Sequence, residues 1–308
     1  MRGDIFMSVA VLKLIACLGM LIDHLGSVFG TSGWGFLSPA ITFYMRTIGR
    51  FVFPVFAFLV TNGWQYTRNK QRYFSNVVLF AIISQIPYTF AFYSVNREKI
   101  YLGEGPNYFP DPDTFYFYAA ITLLFVFTYW YFALKRKFSY TLLWVAIAPL
   151  LFALPLKWHY VWFFYFDLNV MYTLALGMFA IFCWDKIFTE HSSKWYEYIL
   201  MLGTFFIALR TLGNNSDYGY YGVFLVLAIY IVRKNRFAQA SVLAFWGIFF
   251  YGIQYDNWIH AWAAALGAAV LILFYNGKKG MDLKSFFYVF YPGHLFLLGI
   301  INLLLRFN

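Results

Sequence analysis

The stretch LKLIACLGMLIDHLGSVFG, residues 12–30, reads as a membrane-crossing helix that carries Lys13, Asp23 and His24 within it. A span needs roughly 20 mostly apolar residues, and this run supplies them. Each Lys or Asp held at mid-bilayer costs about 2.5–3.5 kcal/mol on insertion scales, so such side chains require partners or a wet cavity. They are the first suspects for function.

The rest of the chain repeats the pattern. Of 308 residues, 62% are hydrophobic and 12% charged, a balance that excludes an ordinary soluble domain. Apolar stretches near 8–29, 41–65, 72–94, 114–134, 138–156, 164–184, 195–212, 217–233, 237–253, 257–275 and 284–306 predict an all-α, polytopic integral membrane protein with about 10–11 transmembrane helices. The basic residues test this order, because cytoplasmic loops collect Lys and Arg. Arg2, Arg68, Lys70, Arg72, Lys135, Arg136, Lys137, Lys186, Lys194, Arg233, Lys234, Arg236, Lys278, Lys279 and Lys284 fall on one side. The other side receives Arg97, Lys99, Lys157, Arg210 and Arg306 together with most loop acids. The N-terminus is therefore expected in the cytoplasm and the C-terminus outside.

That bias accounts for most of the formal net charge of +10, and no nucleic-acid motif accompanies it, so no nucleic-acid partner is expected. The first apolar run is too long for a signal peptide and lacks a small-residue cleavage site; it is expected to remain as helix one. Cys17 and Cys183 sit in apolar runs without paired spacing and read as inert thiols. With no linker or internal repeat, residues 1–308 read as a single membrane-embedded domain.

Lys13 and His24 are separated by a spacing that returns them to within about 20° of one helix face, about 16 Å apart along the axis. Met20 shares that stripe. Asp23, adjacent to His24, points roughly 100° away and needs a partner on another helix. The segment RTIGRFVFPVFAFLVTNGWQYTRNKQR, residues 46–72, offers Arg46 and Arg50 at i, i+4, and their face continues through Phe53, Ala57, Thr61, Trp64 and Arg68. Pairing Asp23 with Arg46 or Arg50 removes much of the desolvation cost. Each residue also has a purely architectural reading: an ion-pair cluster, a Lys13 that snorkels to lipid phosphates, a His24 that is a satisfied core donor.

Three further motifs carry candidates. DNWIHAW, residues 256–262, places Asp256 and His260 at i, i+4 at an external helix mouth, as a second acid/base pair or, by preference, an interfacial belt. SDYGYYG, residues 216–222, puts Asp217 at a helix start, where N-capping is an adequate role. FFYVFYPGHLFLL, residues 286–298, sets His294 beside a Pro-Gly break in the last helix. The nucleophile elbow, P-loop, HExxH and dinucleotide motifs are absent, and the histidines show no metal-ligand spacing, so no metal is expected. Any chemistry must come from helices assembled in the bilayer.

These residues resemble a known family. LKLIACLGMLIDHLG, RTIGRFVFPVFAFLVTNGWQYTRNKQRYF and AIISQIPYTFAF in the first 95 residues, DYGYYGVFLVL from 217, and KSFFYVFYPGHLFLL at 284–298 are similar to TraX family proteins. Those are membrane acetylases named for the one that acetylates the N-terminus of a conjugative pilin. More faintly, Lys13 followed after ten residues by His24 resembles the first helix of the acyltransferase 3 superfamily, where Arg is usual at the basic position. Where relatives tend to carry an Arg after the Tyr of the second cytoplasmic loop, this chain has Asn76.

The resemblance implies an acetyltransferase of the bacterial inner membrane that uses cytoplasmic acetyl-CoA as co-substrate. Arg68, Lys70 and Arg72 are then expected to hold the coenzyme's phosphates, with Lys13 and Arg46 along its route. His24 is the expected general base or acetyl carrier, with Asp23 beside it and Arg50 as oxyanion donor. The acceptor, a pilin, a glycan or a small molecule, is not readable. Two other classes compete: a secondary transporter with an Asp/Arg/His site, and a membrane scaffold of a pilus or secretion system.

Overall fold

The computed structural model describes residues 7–30, 35–101, 168–190, 195–213 and 216–305. Among these residues all regular structure is helical, and two isolated bridges, Met7 with Tyr275 and Leu168 with Ser216, tie helix ends together. Six described segments are long and apolar enough to cross a membrane: Val9–Phe29, Pro39–Tyr66, Lys70–Phe92, Val170–Thr189, Arg236–Gln254 and Phe286–Leu304. Gly219–Ile231 and Trp258–Leu273 are shorter apolar helices. The protein is an all-α, multi-pass membrane protein. The spans expected at 114–134 and 138–156 lie outside the described residues.

The chain divides into two compact units, one drawn from Met1–Gly63, Phe90–Glu104 and Ala228–Asn308, the other from Trp64–Thr89 and Gly105–Leu227. In the first unit, helix α1 (Val9–Phe29) begins at Ser8, whose hydroxyl accepts from the Val11 N–H. The remaining first-turn amides need acceptors too. Val9 and Ala10 find them in the carbonyls of Lys278 and Lys279, at 2.9 and 3.1 Å.

Helix α2 (Pro39–Gly49) packs on α1 through glycines. A Cβ on Gly26 would lie 2.8 Å from the Met45 Cβ, and one on Gly49 would collide with the Asp23 carboxyl group. Small residues at these points let the backbones approach, as membrane helix pairs require.

The single helix expected over 41–65 is interrupted. Helix α2 ends with Arg50 as its C-cap, and α3 (Val52–Tyr66) begins two residues later. Pro54 supplies the reason: it has no N–H for the Arg50 carbonyl, and its ring crowds that same carbonyl. Arg50 thus sits at a helix end.

Helix α4 (Lys70–Tyr101) runs past its expected end at 94. In the second unit, α5 (Val170–Asp185) starts at Asn169, whose side-chain amide donates to the Ala81 carbonyl at 2.8 Å and to Gln85 at 2.9 Å. Helices α6 (Trp195–Ala208) and α7 (Gly219–Ile231) follow. Phe179 packs against Phe74 and Phe205 to form part of this unit's core.

Back in the first unit, α8 (Arg236–Gly247) continues as a π-turn over Ile248–Gln254 and packs on α9 (Trp258–Leu273). The contact is close: a Cβ on Gly247 would come 2.7 Å from the Ala265 nitrogen. Helix α9 answers with a buried stripe of Ala261, Ala264, Ala265 and Ala268. The last helix, α10 (Lys284–Leu304), passes through Pro292 and Gly293 without the break expected there. Proline inside a membrane helix is tolerated when surrounding groups satisfy the backbone it disturbs.

Candidate functional site

In the first unit Asp23 lies between two guanidinium groups. Its carboxylate oxygens accept from Arg46 Nη1 at 2.6 Å and Arg50 Nη2 at 2.5 Å. Arg50 Nε also donates to the Arg46 carbonyl at 2.7 Å, so the i, i+4 spacing on α2 closes the cluster. The bare Cα of Gly49 makes the room Asp23 occupies. Side-chain exposures are 14% for Asp23, 10% for Arg50 and 32% for Arg46, which makes this a largely desolvated group of one anion and two cations.

The π-turn after α8 brings Tyr251 to the cluster. Arg50 Nη1 donates to its hydroxyl at 3.5 Å, and the guanidinium lies over its ring, 5.4 Å from the centroid. Tyr251 meets His260 edge-on at 6.1 Å, and His260 stacks on Phe43 of α2 at 5.2 Å. The expected Asp256–His260 pair does not form. Asp256 has φ of 49° and precedes α9, whose cap is Asn257, so the two residues never share a helical turn. His260 faces Phe43 of α2, and among the described residues its buried Nε2 has no hydrogen-bond partner.

The second feature joins the first helix to the last. His24 Nδ1 is 2.8 Å from His294 Nε2, with the rings stacked at 5.1 Å, and Phe92 meets His24 edge-on. His294 Nδ1 lies 2.7 Å from the Phe290 carbonyl oxygen. A carbonyl only accepts, so His294 Nδ1 must carry the proton. With both rings neutral, His294 Nε2 is then an acceptor and His24 Nδ1 a donor. His24 Nε2 is left holding a lone pair, the state a general base requires. Arg46 and Arg50 lie within electrostatic reach of His24. Lys13, on the same helix, places its ammonium 4.8 Å over the Phe287 ring of α10.

The second unit holds the other candidates. Lys70 Nζ donates to Asp185 at 2.9 Å, and Trp64 Nε1 donates to the same oxygen at 3.2 Å. Arg68 and Arg72 are exposed around the turn between α3 and α4, where the Asn69 side chain accepts from the Arg72 N–H at 2.8 Å. Asp217 accepts from Tyr88 at 3.4 Å, and its own carbonyl accepts from Thr173. Its carboxylate therefore bonds a tyrosine of α4 rather than serving only as a local cap.

A family model described as TraX protein matches residues 8–103 and 121–302, taking in Asp23, His24, Arg46, Arg50, His260 and His294. The chain belongs to the TraX family. A curated relative, "Probable fimbrial assembly protein FimC, serogroup H1" from Dichelobacter nodosus, is 26% identical over 310 residues, covering 97% of this chain and 97% of its own. No solved structure matches.

For this TraX family chain, three side chains in these clusters go unmarked in the sequence reading. Tyr251 is 201 positions from Arg50, in a run of aromatics with nothing to single it out. Asp185 ends an apolar helix, 115 positions from Lys70, and Phe43 looks like any lipid-facing aromatic. The one available signal was Asp185 itself, an acid at the end of a span.

Proposed function

We propose that the protein is an acetyltransferase of the bacterial cell membrane that moves an acetyl group from cytoplasmic acetyl-CoA to an amine or hydroxyl of a pilus-associated acceptor. TraX family membership and the relative named for fimbrial assembly support the setting. The observation that carries the chemistry is the Phe290–His294–His24 chain, which leaves a lone pair on His24 Nε2. The spacing of Lys13 and His24, which resembles that of the acyltransferase 3 superfamily with Lys in place of Arg, supports the same reading.

In this mechanism His24 Nε2 takes the proton as the acceptor's nitrogen or oxygen bonds to the thioester carbonyl carbon. Arg50 donates to the carbonyl oxygen as it gains charge; the carbon–sulfur bond then breaks and the thiolate leaves. General-base action contributes about 10²–10⁴ in rate and an oxyanion donor about 10²–10³. Arg68 and Arg72 are proposed, as a separate assignment, to hold the coenzyme's phosphates.

The test is acetyl-CoA binding and slow thioester turnover by the detergent-purified full chain. In His24→Ala, turnover should fall by about 10²–10⁴-fold with binding kept; in Arg68→Ala/Arg72→Ala, binding should be lost. Absence of binding by the wild type would sink the reading. The relative's name favours one rival, a membrane scaffold for pilus assembly. Under that rival, His24→Ala cells would carry normal pili.

A further inference from the structure

Helix α8 changes pitch where it packs on α9, and two glycines record the change. A Cβ on Gly247 would lie 2.7 Å from the Ala265 nitrogen, and one on Gly252 would lie 2.9 Å from the Trp258 ring and 3.3 Å from the Ala261 Cβ. Both glycines therefore face α9, although they stand at i and i+5. A regular α-helix returns to the same face after four residues, to within about 40°, and not after five. With α pitch, Tyr251 would be the residue aimed at Ala261, where the helices are too close for its ring. The π-turn over Ile248–Gln254 supplies the extra residue, which brings Gly252 round to α9 and turns Tyr251 off that packed face. Such turns are rare inside helices and gather at functional sites.

Tyr251 is firmly held where the turn leaves it. It is buried, its ring meets Phe250 at 5.0 Å, Trp246 at 6.0 Å and His260 at 6.1 Å, each edge-on, and its carbonyl accepts from the N–H of Asn257, the cap of α9, at 2.8 Å. The group it meets is the Arg50 guanidinium, whose nitrogens each contact a different element. Nε donates to the Arg46 carbonyl of α2, Nη2 to the Asp23 carboxylate of α1, and Nη1 to the Tyr251 hydroxyl. The first two contacts leave the planar group able to tilt about the line that joins them. The Tyr251 ring, 5.4 Å from the guanidinium carbon, lies against the face of that plane and opposes the tilt.

Resting on the acetyltransferase reading, we infer that Tyr251 is a positioning residue for Arg50, and that the π-turn is the device that places it. Tyr251 itself touches no reacting atom in this scheme. It holds the guanidinium in the orientation from which Arg50 donates to the thioester carbonyl oxygen. An oxyanion donor works when it is fixed before charge develops, and a displacement of about 1 Å costs about 10²-fold in rate.

Acetyl-CoA thioester turnover and thermal unfolding of the detergent-purified full chain test the role together. Tyr251→Phe keeps the ring and removes the hydroxyl; kcat should fall about tenfold, the loss expected of a hydrogen bond to a charged group, with the KM for acetyl-CoA unchanged. Tyr251→Leu removes the ring as well, and kcat should fall about 10²-fold. Arg50→Lys supplies the decisive background: a residue that acts through the guanidinium should lower kcat no further once that group is gone. A tyrosine that merely packs would shift Tm equally in both backgrounds and leave kcat alone.

Wild-type kcat in Tyr251→Phe would overturn the inference, as would a fall that multiplies in full with that of Arg50→Lys. A wild type without turnover would sink the acetyltransferase reading, and unfolding would then decide the contact by itself. Tm shifts of Arg50→Lys and Tyr251→Phe that fall short of additive in the double variant would keep Tyr251 as the anchor of Arg50; strictly additive shifts would overturn it.

Discussion

Two carboxylates, Asp23 in the first unit and Asp185 in the second, solve the same problem differently. Among the described residues, buried Asp185 accepts from one ammonium and one indole N–H, and that ammonium's side chain, Lys70, is 44% exposed and keeps access to water. Asp23 accepts from two guanidiniums at once, with Tyr251 against Arg50 and His260 against Tyr251. The Asp23 cluster fastens α1 to two arginines one turn apart.

The comparison is open to direct attack. Asp23→Asn should have the largest effect, because it removes a largely buried carboxylate shared by two guanidiniums: about 3–5 kcal/mol of stability is expected to go. Adding Arg46→Gln should restore part of it. Thermal unfolding in detergent measures both, and if Asp185→Asn proves equally damaging, the contrast between the two sites is gone.

The histidine pair sharpens the contrast from the side of chemistry. His294→Phe keeps a ring but removes the acceptor that fixes the His24 tautomer, and turnover should fall about 10²-fold or more, as it does when a tautomer-setting partner is lost elsewhere. His294→Gln, whose amide oxygen can accept from His24, should recover part of kcat at unchanged coenzyme KM. A purely structural His294 would give the same kcat in both variants.

Smaller effects remain. Gly49→Ala pushes a methyl group into the Asp23 carboxyl and should cost about 1–3 kcal/mol, the usual range for overpacking. Lys70→Gln removes a half-exposed partner and should cost about 0–1 kcal/mol in the same assay. A Lys70 variant that fails to fold would make Asp185 a second Asp23.

Much of this was legible in the chain. The first span was read at 8–29 and observed at Val9–Phe29, because a long apolar run with punctuated ends leaves little freedom. The need of Asp23 for a partner on another helix followed from helical geometry, and Arg46 with Arg50 stood at the right spacing. The interruption at Arg50 was missed although Pro54 announces it, since hydropathy weighs composition and ignores the hydrogen bond a proline removes. The i, i+4 spacing offered Asp256 and His260 as an acid/base pair beside the preferred belt reading, and the left-handed backbone at Asp256 cuts that pairing. The His24–His294 contact joins residues 270 positions apart, a distance across which local pattern carries no information.

That separation bears on how the protein is made. The carboxylate and its two cations lie within 27 residues of one another, so the first two spans can enter the bilayer as a hairpin that already holds its own counter-charges. His24 is different: its partner His294 lies 270 residues further along the chain, on α10. A chain that has not yet made α10 therefore has its ion cluster and lacks the histidine that fixes the His24 ring.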